Sequence, residues 1–138
     1  MNKIIKKIQY SEKVYRFDVE APLIAKSRKA GNFVIIRVDA NSERMPLTIA
    51  DADIEKGTIT LVVQKVGLSS TKLCNLNEGD EIHDVVGPLG NPTHIENFGT
   101  VLCAGGGVGV APMLPIIKAL KAAGNRVLSV IAGRSKDL

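Results

Sequence analysis

The sequence contains no tryptophan and few other large aromatic side chains, namely three phenylalanines and two tyrosines. Since aromatic rings usually supply much of the bulk of a core, we expect this core to consist mainly of valine, isoleucine and leucine. Hydrophobic residues make up 45% of the chain and charged residues 23%, which is ordinary for a globular protein. The 138 residues suffice for one domain, or for one small domain and part of a second.

Cysteine is scarce as well. Cys74 and Cys103 lie far apart, and neither they nor the two histidines, His83 and His94, have the spacing of metal ligands. The sequence therefore predicts neither a metal site nor a disulfide framework, and it favours a reducing cytoplasm.

An export leader and a membrane span are not expected. The first ten residues are too charged for a leader, and glycines and two prolines interrupt the uncharged stretch 100–117. Part of the net charge of +4 comes from lysines near the N-terminus, which either attract an acidic or phosphate-bearing ligand or form a solvated edge. We favour the solvated edge. Nucleic-acid binding is not expected, because no basic helix or interleaved aromatic and basic residues occur.

Short apolar stretches separated by turn residues fill residues 3–86. They predict about six strands, two within 3–21 and the others at 33–38, 44–51, 58–66 and 81–86. A short helix capped by Ser69 or Ser70 is predicted at 69–75, and 24–30 is predicted to be irregular. Pro46 places its strand at an edge or a bulge. This pattern predicts a small antiparallel β-barrel.

The pattern changes after Gly99. A strand at 100–104, a helix at 110–123 with Gly124-Asn125 as its C-cap, and a strand at 126–132 predict one βαβ unit. The segment 88–99, rich in proline, glycine and asparagine, separates the two patterns. We therefore predict a barrel domain at 1–95 and the incomplete start of an α/β nucleotide-binding domain at 96–138.

A glycine-rich turn joins the first strand of this unit to its helix. Its residues are Gly105, Gly106, Gly107, Val108 and Gly109, followed by Pro112 in the first helical turn. Glycines between a buried strand and a helix let a pyrophosphate approach the free backbone N–H groups of the helix N-terminus. The alternative is a tight turn that binds no ligand.

A barrel followed by a G-x-G-x-x-P turn in a βαβ unit resembles the ferredoxin–NADP reductase-like flavoproteins. Within this family the chain is similar to the electron-transfer subunits of dihydroorotate dehydrogenase and of NADH-dependent reduced ferredoxin:NADP oxidoreductase. The resemblance covers essentially the whole chain. It implies FAD as cofactor, bound by the barrel, and NAD(P)H as substrate, bound at the glycine turn.

The stretch Arg44-Met45-Pro46-Leu47-Thr48 matches the family's flavin-binding strand, which reads R-x-Y-S or R-P-I-S. The resemblance implies that Thr48 lies beside flavin N5 as the catalytic residue, that Pro46 and Leu47 pack on the ring, and that Arg44 binds the FAD phosphates. The arginine here lies one residue farther from the hydroxyl than in R-x-Y-S, and a shift of one residue reverses the face of a strand. The alternative for Arg44 is a surface arginine on an edge strand.

Two further stretches match the family's cofactor contacts. In the first stretch, the family's flavin contacts lie at the end of a strand and its FAD diphosphate contacts lie in the turn that follows. The matching residues here are Val62, Val63, Gln64, Gly67, Ser69, Ser70 and Thr71. In the second, Gly133 and Arg134 follow the last strand, where the family meets the adenosine end of the nicotinamide nucleotide. Arg134 can accommodate a 2′-phosphate, which favours NADP, although a plain surface loop fits as well.

The resemblance implies an NAD(P)H-dependent flavin oxidoreductase that passes electrons to a partner subunit or a ferredoxin. Family members continue beyond this point and end in a cysteine-rich segment that binds a [2Fe–2S] cluster, so none is expected in this chain. The alternative is a shortened, non-catalytic module that binds flavin or only docks a partner. Because the βαβ unit contains one helix for two apolar strands, we expect its 100–138 region to self-associate or to be partly disordered.

Overall fold

The computed structural model describes residues 2–107 and 110–133. Nine strands and three helices lie in these ranges: β1 Asn2–Gln9, β2 Val14–Glu20, α1 Pro22–Ser27, β3 Phe33–Arg37, β4 Met45–Asp53, β5 Thr58–Gln64, α2 Leu68–Cys74, β6 Glu81–Ile82, β7 Asp84–Leu89, β8 Thr100–Gly106, α3 Val110–Ala122 and β9 Arg126–Ala132.

The first seven strands form a nearly closed antiparallel barrel in the order β6-β1-β2-β5-β4-β3-β7. β6 and β7 lie at opposite ends of this order, yet only His83 separates them in sequence. The chain therefore changes partners at His83, from β1 to β3, and this change brings the two ends of the sheet together. The sequence predicted one strand at 81–86, because a change of partner leaves no mark on the alternation of apolar residues.

The barrel interior is aliphatic, as the composition predicted. Alternate residues of β2 and β5 contribute Phe17, Val19, Ile59, Leu61 and Val63, each at most 1% exposed. Of the tyrosines and phenylalanines, only Tyr15 and Phe17 are counted in this core, where their rings stack with centroids 6.4 Å apart. Helix α2 covers the core with Leu73.

Helix α1 corrects the expectation of an irregular segment at 24–30. Pro22 begins the helix, where its fixed φ and missing N–H are tolerated, and Ile24 and Ala25 are buried against the barrel. Six residues are too few for a helical repeat of apolar positions to be visible in the sequence.

After the barrel, β8 and β9 pair in parallel with α3 between them in the chain, which confirms the predicted βαβ unit. β8 extends to Gly106 and so includes Gly105, two residues farther than predicted. The C-cap prediction is also confirmed: Gly124 has φ +95°, and the N–H groups of Gly124 and Asn125 donate to the carbonyls of Lys121 and Leu120. The fold of the described residues is therefore an antiparallel barrel followed by one βαβ unit.

Candidate functional site

The candidate site lies where strands β4 and β5 separate. β4 pairs with β5 through Ile49–Asp53, whereas its first half, Met45–Thr48, pairs with β3. The register with β5 shifts between Ile49 and Asp51, so β4 contains a bulge, but this bulge lies after Pro46, which pairs in register with Ile35 of β3. β4 is not an edge strand over its whole length. Pro46 lies in the half of β4 that does not pair with β5, so its missing N–H removes no hydrogen bond between these two strands.

The separation opens a cavity of about 590 Å³, which we call the β4–β5 groove. Its walls come from β4, the end of β5, the start of α2 and the start of α3. The lining residues are Glu43, Met45, Pro46, Leu47, Thr48, Val62, Val63, Gln64, Val66, Gly67, Leu68, Ser69, Ser70, Ala111 and Pro112. The fold thus brings together residues predicted from three separate stretches of the sequence.

On the β4 wall, Thr48 offers a hydroxyl to the groove. Met45 and Leu47 pack against the barrel core, so the alternation of a strand places Pro46 and Thr48 on the other face. Pro46 is exposed and Thr48 is half-buried. Within the described residues the Thr48 hydroxyl makes no side-chain hydrogen bond, which leaves it able to donate to a ligand and accept from one.

The opposite wall is the end of β5. Val63 is 1% exposed and points into the core, whereas Val62 is half-buried and Gln64 is exposed. β5 remains paired with β2 as far as Gln64, but its ladder with β4 ends at Leu61. Residues 62–64 therefore present a strand edge to the groove, and such an edge carries backbone N–H and C=O groups without a strand partner. Through this edge Val63 can contact a ligand with its backbone only.

The start of α2 forms the rim of the groove and corrects the predicted cap. Gly67 is the N-cap, and the hydroxyl of Ser70 accepts the N–H groups of Val66 and Gly67, both at 2.9 Å. The same hydroxyl donates to the Gly67 carbonyl at 3.2 Å. Ser70 is buried and fully used in shaping this turn, so Ser69 is the hydroxyl that faces the groove more freely.

Two other predicted cofactor contacts, Arg44 and Thr71, lie beside the groove and do not line it. Arg44 precedes β4, is exposed, and takes part in none of the ion pairs within the described residues. Thr71 is half-buried on α2, where its N–H donates to the Gly67 carbonyl. Their roles toward the phosphates stay predictions.

Of the predicted nicotinamide contacts, Pro112 in the first turn of α3 lines the groove. A Cβ on Gly105 would meet the Met113 side chain at 3.1 Å, so this glycine lets α3 pack closely on β8. Gly107 has φ +56°, a conformation that favours glycine, while Gly106 lies at the end of β8. Gly133 is exposed after β9. The predicted contacts Val108, Gly109 and Arg134 lie outside the described residues.

The loop before β4 is held in place by charged side chains. The Ser42 hydroxyl, followed by the Asn41 N–H, holds the pKa of the Asp39 carboxyl below its ordinary value. Lys72 of α2 approaches this loop, with its Nζ 3.4 Å from the Ser42 hydroxyl and 3.8 Å from Asp39. These contacts connect α2 to the loop that carries Glu43 at the groove rim.

Sequence reasoning missed five lining residues: Glu43, Met45, Val66, Leu68 and Ala111. Val66 and Leu68 are 72% and 77% exposed, unusually high for large apolar side chains that flank a turn. Their apolar character beside Gly67 was the available signal, because an ordinary surface turn carries polar residues at such positions. Glu43 had no comparable signal.

A larger cavity, of about 710 Å³, lies elsewhere, between the end of α1, residues 92–95 and α3. We call it the junction cavity. It contains none of the predicted cofactor contacts. The β4–β5 groove is the better candidate site, because it combines apolar walls, an open strand edge and an unengaged hydroxyl.

Comparison with known proteins identifies the family. Residues 2–94 match the family described as the oxidoreductase FAD-binding domain. The chain belongs to this family. FAD is therefore the cofactor of this family, and the predicted resemblance to ferredoxin–NADP reductase-like flavoproteins is confirmed.

Two relatives and one solved structure illustrate the similarity. The chain is 48% identical over 137 residues to a dihydroorotate dehydrogenase B (NAD(+)) electron transfer subunit homolog of Thermotoga maritima, covering 99% of this chain and 49% of that protein. It is 32% identical to the electron transfer subunit of the Bacillus caldolyticus enzyme, covering 91% and 51%. A structure of the NADH-dependent reduced ferredoxin–NADP oxidoreductase superposes with a TM-score of 0.97 at 48% identity, covering 99% and 50%.

The chain therefore spans about half the length of the curated relatives it matches. A more distant structure, phthalate dioxygenase reductase, shares the fold with a TM-score of 0.74 at 20% identity. In the described part of the chain, no helix has the length and apolar character needed to span a bilayer. Nor do three or more potential metal-ligating side chains come together in residues 2–107 and 110–133.

Proposed function

We propose that this chain is the flavin-binding part of an oxidoreductase that moves electrons between NAD(P)H and an iron–sulfur or ferredoxin-type partner. One observation carries the proposal: the β4–β5 groove places the Thr48 hydroxyl, the open edge of β5 and the first turn of α3 around one cavity. The relatives' names, which describe electron transfer subunits, support the same activity.

The residues of the groove fit FAD. Its volume of about 590 Å³ lies in the range of roughly 300–1,000 Å³ typical of small-molecule sites. Pro46 and Val62 supply an apolar wall for a flat ring, Leu47 supports this wall from the core side of β4, and the β5 edge at 62–64 supplies backbone groups for the polar rim of the ring. Ser69 and Gly67 stand at the rim where a diphosphate would leave the groove, and Arg44 lies beside that wall.

When bound, FAD supplies the hydride-accepting and single-electron chemistry. In our proposal the chain positions and tunes it. Thr48 donates a hydrogen bond to the ring nitrogen that receives the hydride, without acting as an acid of low pKa. Pro112 and the glycine turn form the side from which the nicotinamide approaches, and Gly107 leaves room for its diphosphate. The preference for NADP stays a prediction, because it depends on Arg134.

A second candidate function is a flavin carrier that does not turn over by itself. It is favoured by the βαβ unit, where Leu102, Leu128 and Val130 are 66%, 44% and 55% exposed on the face away from α3. A nicotinamide pocket built on so exposed a sheet would be incomplete. We also propose a cytoplasmic location, which rests on the two buried cysteines being free thiols.

One spectrum separates these functions. The chain is reconstituted with FAD or FMN, freed of unbound flavin, and its absorbance is recorded before and after anaerobic NADH or NADPH. We expect a yellow protein from which heat releases FAD. Bleaching by a nicotinamide supports the oxidoreductase, whereas a yellow protein that is not bleached supports the carrier. A colourless protein, or one that retains FMN alone, would contradict the proposal.

A further inference from the structure

Strand β4 and helix α3 are joined by a single ion pair. Lys118 Nζ on α3 lies 3.0 Å from Asp51 Oδ2 on β4. Within the described residues, no other ion pair connects a barrel strand to the helix of the βαβ unit. The remaining contact between α3 and β4 is packing, which is non-directional and tolerates sliding better than a hydrogen-bonded pair does.

Asp51 is suited to this contact because several groups keep it ionised. Burial raises the pKa of its carboxyl, but the hydrogen bond from Lys118, the Ala52 N–H and the charges of Lys118 and Arg28 together hold this pKa below its ordinary value. Arg28, at the end of α1, lies 3.6 Å from the other carboxylate oxygen. Asp51 therefore shares its charge between one cation at the end of α1 and one on α3.

The spacing along the two elements links this pair to the β4–β5 groove. Asp51 follows Thr48 on β4 by three residues, and the bulge between Ile49 and Asp51 makes this stretch shorter than the roughly 10 Å of a regular extended strand. Lys118 follows Pro112 on α3 by six residues, a rise of about 9 Å for a helix. Thr48 and Pro112 both line the groove. β4 and α3 thus come together at two places, the Asp51–Lys118 ion pair and the β4–β5 groove.

We infer that Asp51 and Lys118 are positioning residues, whose contact sets the register of α3 along β4 and so places Pro112 against the flavin groove. The expected effect on flavin binding rests on the proposed function, whereas the ion pair between β4 and α3 is a feature of the chain itself. An exposed ion pair contributes little to overall stability. Its loss should therefore change where α3 lies more than whether the chain folds.

The test compares five single variants. Lys118→Met and Asp51→Asn remove the contact across the junction, and Lys118→Arg retains it. Lys121→Met removes the same charge from an exposed position on the same helix, where no ion pair is present among the described residues. Arg28→Met removes the other cation from Asp51, but this contact joins the end of α1 to β4 and does not involve α3.

Two measurements are made on each variant. The first is hydrogen exchange of the amides in 113–123 without flavin, and the second is FAD affinity together with the visible spectrum of bound flavin. Lys118→Met and Asp51→Asn should speed exchange and raise the Kd for FAD by about two- to fivefold, the factor equivalent to an ion pair of up to about 1 kcal/mol. Both should alter the flavin spectrum alike. A double variant that combines Lys118→Met with Asp51→Asn should be no worse than either single one, because both changes remove the same contact.

Lys118→Arg, Lys121→Met and Arg28→Met should behave as the parent chain does. The inference is overturned if Lys118→Met and Asp51→Asn exchange in α3 at the rate of Lys121→Met, whatever their FAD affinity. If even the parent chain binds no FAD, the proposed function fails, and the exchange rates still decide the positioning role. Arginine rescue separates this role from a general need for positive charge on α3.

Discussion

Ile49 of β4 lies opposite Leu61 of β5, and this is the last pair of their ladder. Before Ile49, β4 belongs with β3, and beyond Leu61, β5 keeps only β2 as a partner. Both side chains are buried, at 1% and 0% exposure, so the point of separation is anchored in the core. The β4–β5 groove is thus a consequence of barrel topology, and its position does not depend on a flexible loop.

The first prediction concerns Thr48. Replacement by valine keeps the shape and removes the hydroxyl, so Thr48→Val should shift the reduction potential of bound flavin while its affinity changes little. A hydrogen bond of this kind contributes roughly 0.5–1.5 kcal/mol. Potentiometric titration of the reconstituted protein measures the shift, with Thr100→Val, at an exposed position of β8, as the control. An unchanged potential and spectrum would mean that Thr48 does not contact the reacting part of the ring.

Much of the barrel could be predicted because each strand shows its own alternation, β5 most clearly. The separation of β4 from β5 could not be predicted, because it depends on which strands pair over long sequence distances. Only the proline at position 46 indicated an irregularity in this strand. The groove residues were found through family resemblance in Pro46-Leu47-Thr48 and not through physical patterning. The packing role of Gly105 could not be predicted either, because it depends on where the Met113 side chain lies in the folded chain.

The second prediction concerns Asn125, which is 7% exposed. Its Oδ1 accepts the N–H groups of Phe98 and Gly99 at 2.7 and 3.0 Å, and its Nδ2 donates to the carbonyls of Glu96 and Leu120 at 2.8 and 3.0 Å. Asn125→Ala removes the side-chain partner of the Phe98 N–H and of the Glu96 carbonyl, whereas the Gly99 N–H keeps Asn97 Oδ1 and the Leu120 carbonyl keeps the backbone N–H of residue 125. Leaving a buried polar group without its partner costs about 1–3 kcal/mol. We expect a lower melting temperature and faster hydrogen exchange across 96–125.

Asn91→Ala is the matched control, since Asn91 is exposed and makes no side-chain hydrogen bond among the described residues. If Asn125→Ala and Asn91→Ala melt together, Asn125 does not hold the segment before β8 to the end of α3.

The third prediction is a pH dependence. Because the pKa of Asp51 is lowered in the folded chain from its ordinary value of 3.8, its ionised form stabilises the fold. This contribution is fully present above the ordinary value and is lost as the pH falls through the lower, folded one. The difference in melting temperature between the parent chain and Asp51→Asn should therefore be constant near neutral pH and shrink below about pH 4. A difference that grows on acidification would contradict the assignment.

The fourth prediction is self-association. Leu102 pairs with Leu128, and Ala104 pairs with Val130, so these side chains share the face of the β8–β9 sheet that α3 does not cover. Such an exposed apolar face favours burial against another copy. Light scattering over a concentration series should give a mass that rises for the 138-residue chain and stays near one chain for Val130→Lys. Leu23→Lys, at an 82% exposed position on α1, should associate as the parent does.

An unchanging monomer mass would refute this prediction. So would equal association of the Val130→Lys and Leu23→Lys chains, because the apolar contact would then lie elsewhere.

The central claim is that FAD binds in the β4–β5 groove, and a titration of FAD against a groove-filling variant tests it most directly. Val62 is half-buried in the groove wall, so the Val62→Trp side chain would occupy the space of the ring. Val86 on β7 is 48% exposed and does not line the groove, so Val86→Trp is the matched control. We expect the parent chain and Val86→Trp to bind FAD equally, and Val62→Trp to bind it at least about tenfold more weakly, a loss of about 1.4 kcal/mol or more. Equal FAD affinity of the Val62→Trp chain and the parent, with both chains folded, would contradict the account.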